Sequence, residues 1–180
     1  GTASSEPSDA LLRELANYFK GPQFFTWVKA PPCPRCGGKT EGAGPGAPTE
    51  EEQRKLANRV ELYRCPCGGE ARFPRYNCAR TLLFESRTGR CGEFANAFVP
   101  CLRACGFEAR YVWDSTDHVW AEAWSVEQRR WLHVDPCEKA VDRPRMYERG
   151  WGKALACILA FGRDECVDVT RRYTYGRGAT

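Results

Sequence analysis

Apolar and polar residues alternate in two neighbouring stretches, Asp117 to Trp124 and Arg129 to Asp135, separated by the mostly polar run Ser125-Val126-Glu127-Gln128. Alternation with a period of two marks strands, and a short break between two such runs predicts a hairpin. A turn centred between Val126 and Glu127 sets His118 opposite Asp135, Trp120 opposite His133, and Glu122 opposite Trp131. Directly opposed residues have Cβ atoms about 4.5–5.5 Å apart on one face. The other face carries Val119, Ala121 and Ala123 against Leu132 and Val134, an apolar set suited to a core, and a one-residue slip would exchange the two faces.

Upstream, the Gly-bearing turn Thr88-Gly89-Arg90 leads into an apolar-periodic run that predicts a helix from Cys91 to about Ala104. Pro100 falls inside it, where it is expected to cost about 3 kcal/mol or to kink the helix, well past the first turn. A second helical stripe runs from Leu11 to Tyr18, and a short helix is expected over Cys78 to Leu83. Further strands are expected near 60–64, 109–114, 156–161 and 166–170. The class is α+β, with an antiparallel sheet packed on the Cys91 helix. From Gly37 to about Ala57 the chain is rich in Gly, Pro and Glu, which predicts an exposed, mobile insertion.

At 180 residues the chain accommodates one ordinary domain, or a modest core plus a small metal-stabilised lobe, and the second reading is preferred. The expected division is an N-terminal helix over 1–22, a zinc-binding lobe over 23–72 and the catalytic core over 73–180. The net charge is only +4 and the basic residues are dispersed, so neither a nucleic acid nor an anionic membrane is an expected partner. No apolar run reaches the roughly 18 residues of a membrane span. Gly1 to Asp9 lacks the positive start and apolar centre of a secretory signal. Eleven cysteines, two pairs of them in a metal-like pattern, argue for a reducing compartment rather than a disulfide framework, and the expected location is the cytosol.

Two constellations carry chemistry. A cysteine on a helix's first turn meets unpaired N–H groups and the positive end of the helix dipole, which favour the reactive ionised form. Taken alone, Cys91 is more simply a small buried apolar residue. Its partners change that reading, because a carboxylate opposite His118 fixes the imidazole tautomer and leaves the second ring nitrogen for Cys91. Cys91, His118 and Asp135 are then the nucleophile, base and orienting group of a cysteine amidase. His133 is the only other histidine and ranks below His118 as the base.

The second constellation is Cys33-Pro34-Arg35-Cys36 with Cys65-Pro66-Cys67, four thiols suited to one structural Zn²⁺. The single residue between Cys65 and Cys67 tightens that geometry; the alternatives are a strained site, a site completed by Cys78, or reduced thiols without metal. Cys101, Cys105, Cys137, Cys157 and Cys166 are expected to be buried structural residues.

The strings Arg72-Phe73-Pro74-Arg75-Tyr76-Asn77, Gly89-Arg90-Cys91-Gly92-Glu93, Asp117-His118-Val119-Trp120, Trp131 to Glu138 and Val167-Asp168-Val169-Thr170 give the chain a family likeness. From about Leu11 to Tyr173 it resembles the cytoplasmic peptide:N-glycanases of the transglutaminase-like superfamily. The resemblance implies a papain-like core with a zinc-binding lobe, and amidase action on the glycosylated Asn of misfolded glycoproteins. It implies that Arg110, Trp120, Glu122, Glu138 and Trp151 line the substrate cleft. Trp131 belongs to the same group of aromatic and acidic residues, a combination that suits sugar faces and hydroxyls. Trp27 is a further candidate, as an oxyanion donor. The resemblance also implies docking to ubiquitin-shuttle proteins related to excision-repair factors, and to the proteasome. The chain departs from the family at the Cys65–Cys67 spacing, at Cys78 where Asp is commoner, and at Phe94 where Trp is commoner. The rival readings are a transglutaminase or protease of the same superfamily and an inactive glycan-binding adaptor.

Overall fold

The computed structural model describes residues 6–175, so most of the Gly1 to Asp9 stretch, and the outer ends of the first and last predicted segments, lie outside the described residues. Ser8 caps the first helix, α1 (Asp9–Phe19), by accepting the Leu11 N–H, and Leu12, Ala16 and Phe19 form its buried stripe. The short strand β1 (Thr26–Trp27) follows.

The stretch expected to be an exposed insertion is indeed mostly exposed, but it is built into regular structure: β2 (Glu41–Gly46) and α2 (Glu50–Arg54). Two local devices explain this. Antiparallel pairing of β2 with β3 (Ala57–Arg64) needs only backbone groups, and a reciprocal capping box between Thr49 and Glu52 starts α2. Strand β4 (Glu70–Tyr76) completes a three-stranded sheet and runs unbroken across the expected boundary at residues 72 and 73. Arg72 clamps α2 onto β4 through Glu52 at 2.6 Å.

The short helix α3 (Ala79–Thr81) continues as a π-helical turn over Leu82–Ser86. Strand β5 (Thr88–Gly89) then pairs in parallel with β1 and delivers the chain into α4 (Cys91–Ala104). Glu93 reaches back to the Arg90 N–H at 2.9 Å. Pro100 does not end the helix; the carbonyl left without its donor belongs to Asn96, which is half-buried.

The main sheet has the order β11-β10-β6-β7-β8-β9, antiparallel throughout, from β6 (Ala109–Asp114), β7 (His118–Ser125), β8 (Arg130–Asp135), β9 (Ala140–Val141), β10 (Ile158–Phe161) and β11 (Cys166–Asp168). The face with Ala109, Ala121, Ala123, Leu132 and Val134 packs on α4 and α1 through Phe94, Phe98, Leu102, Leu12 and Phe19.

The predicted register is corrected. The observed pairs are Glu122 with His133 and Trp124 with Trp131, closed by Ser125 with Arg130. The turn sits one residue further along because Ser125 Oγ accepts the Gln128 N–H at 3.0 Å and Arg129 takes a left-handed backbone at φ 53°. This shift preserves which residues share a face.

The second face is also covered. The chain crosses it through α5 (Met146–Trp151) and α6 (Thr170–Tyr173), enclosing Val112, Trp120, Ile158 and Ala160 under Tyr147, Leu155, Val169 and Tyr173.

Candidate active site and cysteine cluster

Cys91 is the first residue of α4 and is half-buried, while His118 begins β7 and Asp135 ends β8. His118 and Asp135 are not directly opposed in the ladder, yet their side chains share a face and meet diagonally. His118 Nε2 donates to Asp135 Oδ2 at 2.8 Å, leaving Nδ1 as the second ring nitrogen. Burial pulls the imidazole pKa down, but the hydrogen bond to Asp135 and the neighbouring Cys91 outweigh it and raise the value to about 9. Asp135 is fully buried; against the effect of that burial, its bond to His118, the charge on that imidazole and the Tyr147 hydroxyl hold its pKa below the usual carboxylate range. Its Oδ1 accepts the Cys137 N–H at 2.8 Å. A charged imidazole beside a half-exposed sulfur at a helix start is the geometry of thiolate–imidazolium chemistry.

Of the surrounding residues, Trp151 stands over His118 with ring centroids 5.0 Å apart and is 47% exposed. Trp27 is held near the start of α4 by the β1–β5 pair and rests on Phe94 at 5.9 Å. Glu138 is exposed one turn beyond Asp135.

Of the remaining predicted cleft residues, Trp120, Glu122 and Arg110 are buried and Trp131 is half-buried. Trp120 is fully buried beneath Tyr147 and Tyr173. Glu122 is also fully buried: Oε2 accepts Nε and Nη2 of Arg110, while Oε1 accepts Arg172 Nη1 at 2.8 Å and the Tyr173 hydroxyl at 2.7 Å. The cause is the C-terminal cover over this face, which supplies an acceptor-satisfying network in place of sugar hydroxyls. Arg110 lies 3.8 Å above the Trp131 ring, and both line a cleft of about 460 Å³ that includes none of Cys91, His118 and Asp135.

The four thiols Cys33, Cys36, Cys65 and Cys67 come together, all sulfurs within 4.8 Å of one another; Cys33 to Cys67 is 3.6 Å and Cys36 to Cys65 is 3.5 Å. Four ligands at a Zn–S distance of about 2.3 Å in a tetrahedron imply sulfur separations of about 3.8 Å, so the donor set fits. The one-residue spacing of Cys65 and Cys67 does not separate the sulfurs, and Cys78 lies outside the group. Two backbone turns shape the cluster, closed by Cys33 N–H to Gly38 O and by Cys65 N–H to Gly69 O, both 2.9 Å. A Cβ on Gly69 would stand 2.5 Å from Cys33 Sγ, whereas one on Gly42 meets nothing within 4 Å. Gly69→Ala is therefore expected to cost about 1–3 kcal/mol of stability and to lower metal retention, with Gly42→Ala as the control in the same unfolding and metal-content measurements.

The profile described as "Transglutaminase-like superfamily" matches residues 40–136, more than half of the chain, and that of the "Rad4 transglutaminase-like domain" matches 113–178. The chain belongs to the transglutaminase-like superfamily. Among relatives in this superfamily, the "Peptide-N(4)-(N-acetyl-beta-glucosaminyl)asparagine amidase" of Gallus gallus is 56% identical over 92% of this chain and 26% of its own length. The proteins of the same name from Homo sapiens and Eremothecium gossypii are 52% and 49% identical, over 92% and 96% of this chain and 25% and 50% of their own lengths. The chain thus spans a quarter to a half of the relatives it matches. The solved structure of Rad4-Rad23 bound to a 6-4 photoproduct UV lesion overlaps 53% of this chain and 26% of that chain at 24% identity, with a TM-score of 0.44.

Within this transglutaminase-like core, Phe94 is fully buried against Phe25 at 4.6 Å, so it fills space as an aromatic without needing an N–H. Cys137 is buried and Cys101 half-buried, but Cys105, Cys157 and Cys166 are exposed, contrary to expectation: Cys105 caps the end of α4, Cys157 lies in the irregular chain before β10, and Cys166 starts the edge strand β11. Sequence reasoning missed Tyr147, whose hydroxyl donates to Asp135 Oδ2 at 2.9 Å. It also missed Arg90, which binds Glu61 at 2.8 Å across to β3 and so ties the start of α4 to the cysteine-bearing lobe. Neither has a periodic signal; only the position of Arg90 beside Cys91 hinted at a role.

Proposed function

We propose that this chain is the catalytic core of an amidase that cleaves the bond between an N-glycan and the Asn side chain, leaving Asp in the polypeptide. The observation that carries the reading is the His118–Asp135 hydrogen bond with Cys91 beside the imidazole at the start of α4, in a chain half or more identical to proteins named as such amidases. The Cys91 thiolate, paired with the His118 imidazolium, attacks the side-chain carbonyl carbon and forms a C–S bond. As the tetrahedral intermediate collapses, the C–N bond breaks and His118 gives its proton to the departing glycosylamine. Water, deprotonated by His118, then attacks the thioester; the C–S bond breaks, Asp is released and Cys91 is regenerated. Asp135 holds the imidazole through Nε2 and stabilises its positive charge. Trp151, Trp27 and Glu138 are the exposed candidates to meet the glycopeptide.

Cys33, Cys36, Cys65 and Cys67 would hold one structural Zn²⁺, whose role is to fold the lobe. All eleven cysteines are free, which suits the cytosol, and among the described residues no helix is long and apolar enough to cross a membrane. The substrate is an N-glycosylated, denatured polypeptide. Docking to a ubiquitin-shuttle protein related to excision-repair factors, or to the proteasome, belongs to the same reading.

The test is incubation with a denatured high-mannose glycoprotein. Free glycan should appear, with Asp at the former glycosylation site by mass spectrometry. One sugar left on Asn would mean an endoglycosidase; no release, with Cys91 still reactive, would move the assignment to transglutaminase or protease chemistry.

A further inference from the structure

Beneath the His118–Asp135 pair lies a second titratable pair that the reaction above does not use. Tyr147 Oη donates to Asp135 Oδ2 at 2.9 Å and is itself 2.7 Å from His133 Nε2. The other nitrogen of that ring, Nδ1, accepts the Arg143 backbone N–H at 3.4 Å. Because Tyr147 spends its proton on Asp135 and His133 Nδ1 is an acceptor, the proton of His133 must sit on Nε2 and point at Tyr147. Every donor in the series Arg143, His133, Tyr147 therefore aims the same way, ending on the carboxylate that also receives His118.

We infer that Tyr147 and His133 are positioning residues that act on His118 through Asp135. The train of donors fixes the carboxylate's orientation and takes up part of its negative charge, so that Asp135 aligns the imidazole without over-stabilising its protonated form. Hydrogen bonds that polarise one another in a water-free interior suit this role. The protonation states agree. Burial drives His133 down to about 4, so it stays neutral, and burial with the adjacent Asp135 charge keeps the Tyr147 proton in place. The titratable groups around Asp135 are His118 from β7, His133 on its own strand, Tyr147 from α5, Cys91 from α4, and Cys137 just beyond β8. The rings are also well seated: Tyr147 packs on Trp120 at 4.6 Å, Trp151 at 5.1 Å and His118 at 5.2 Å, contacts that Phe would keep.

Only the reaction served by these residues depends on the amidase reading; the relay is tested by titration alone. The chain has two histidines, so their ring resonances can be followed separately by NMR in the zinc-loaded protein. Tyr147→Phe should move the His118 ionisation to higher pH by roughly half a unit, since Asp135 loses a donor and pulls harder on the imidazolium. His133→Leu should shift it the same way, and His133→Gln, which restores an N–H toward Tyr147, should return it to the wild-type value. The pH at which alkylation of Cys91 senses His118 deprotonation, read on the Cys91 peptide by mass spectrometry, should move in parallel. A merely structural role would lower the melting temperature and leave both titrations in place. Folded Tyr147→Phe with an unshifted His118 overturns the inference. If that variant does not fold, the wild-type tautomer decides: nitrogen shifts must place the His133 proton on Nε2 down to about pH 4, and a proton on Nδ1, or titration near the ordinary 6.5, overturns it.

Discussion

Cys91→Ala protein is expected to fold normally and to release no glycan. Cys91 is the half-buried first residue of α4, outside the tightly filled part of the core, and the α4 start is held by Glu93 and Arg90 rather than by its sulfur. Removing the nucleophile should cost on the order of 10⁶ in kcat, the scale found when one member of a catalytic triad is deleted. Asp135→Asn should cost roughly 10⁴, and the structure gives the reason. The carboxylate accepts three donors: Cys137 N–H on Oδ1, and His118 and Tyr147 on Oδ2. An amide offers one oxygen and one NH₂ group, so in either orientation at least one donor faces another donor. Even with the oxygen turned toward His118, the negative charge that raises the imidazole pKa is gone. The checks are glycan release under single-turnover conditions and thermal unfolding of each variant. Release by folded Cys91→Ala at a rate near wild type would show that the nucleophile lies elsewhere.

The site was legible in the sequence wherever its determinants are local. Side-chain alternation placed His118 and Asp135 on one face because a strand's period is a property of the strand. The exact pairing was not legible, since a Ser125 side-chain bond and the left-handed Arg129 set where the turn closes. Cys91 at the helix start followed from a turn residue ahead of an apolar stripe. The four thiols were marked by their spacing, although only folding could show that Cys65-Pro66-Cys67 still converges with Cys33 and Cys36. Trp120, Glu122 and Arg110 are more enclosed than their place in the sequence indicates, for one reason. A carboxylate and a guanidinium on alternating strands ordinarily face water, and the sequence gives no sign that residues near 172, some fifty positions on, return to bury them. The crossing segment has no sustained period and its helices α5 and α6 are short, which also hid Tyr147.

Stripping the metal from the cysteine cluster is expected to unfold the lobe and, as a second effect, to slow the chemistry at Cys91. The lobe's apolar cluster is small, Tyr63, Ala71 and Phe73 with Val28 against it, and its strands bury only Ala57 and Val60 besides. At about 1.5–3 kcal/mol for each large buried side chain, this cannot offset ordering costs of about 1–2 kcal/mol for each residue of the three strands. Coordination of one Zn²⁺ by the four thiolates would supply folding free energy that so small an apolar set lacks. The link to Cys91 runs through β3. Glu61, its carboxyl lowered to about 2 mainly by Arg90 and Tyr63 against the effect of burial, binds Arg90 at 2.8 Å and Arg75 at 3.1 Å. Arg75 in turn holds Glu93 on the first turn of α4 at 2.6 Å. Loss of the lobe would release both arginines and leave the nearly buried Glu93 carboxylate without its guanidinium. Elemental analysis should find about one zinc per chain. Cys65→Ser, or a strong chelator, should abolish the cooperative unfolding of the lobe and reduce the alkylation rate of Cys91, while the six-stranded sheet keeps its amide protection from exchange. Metal-free protein with full stability would refute the zinc site. A melted lobe with unchanged Cys91 reactivity would keep the site and break the link through Glu61 and Arg90.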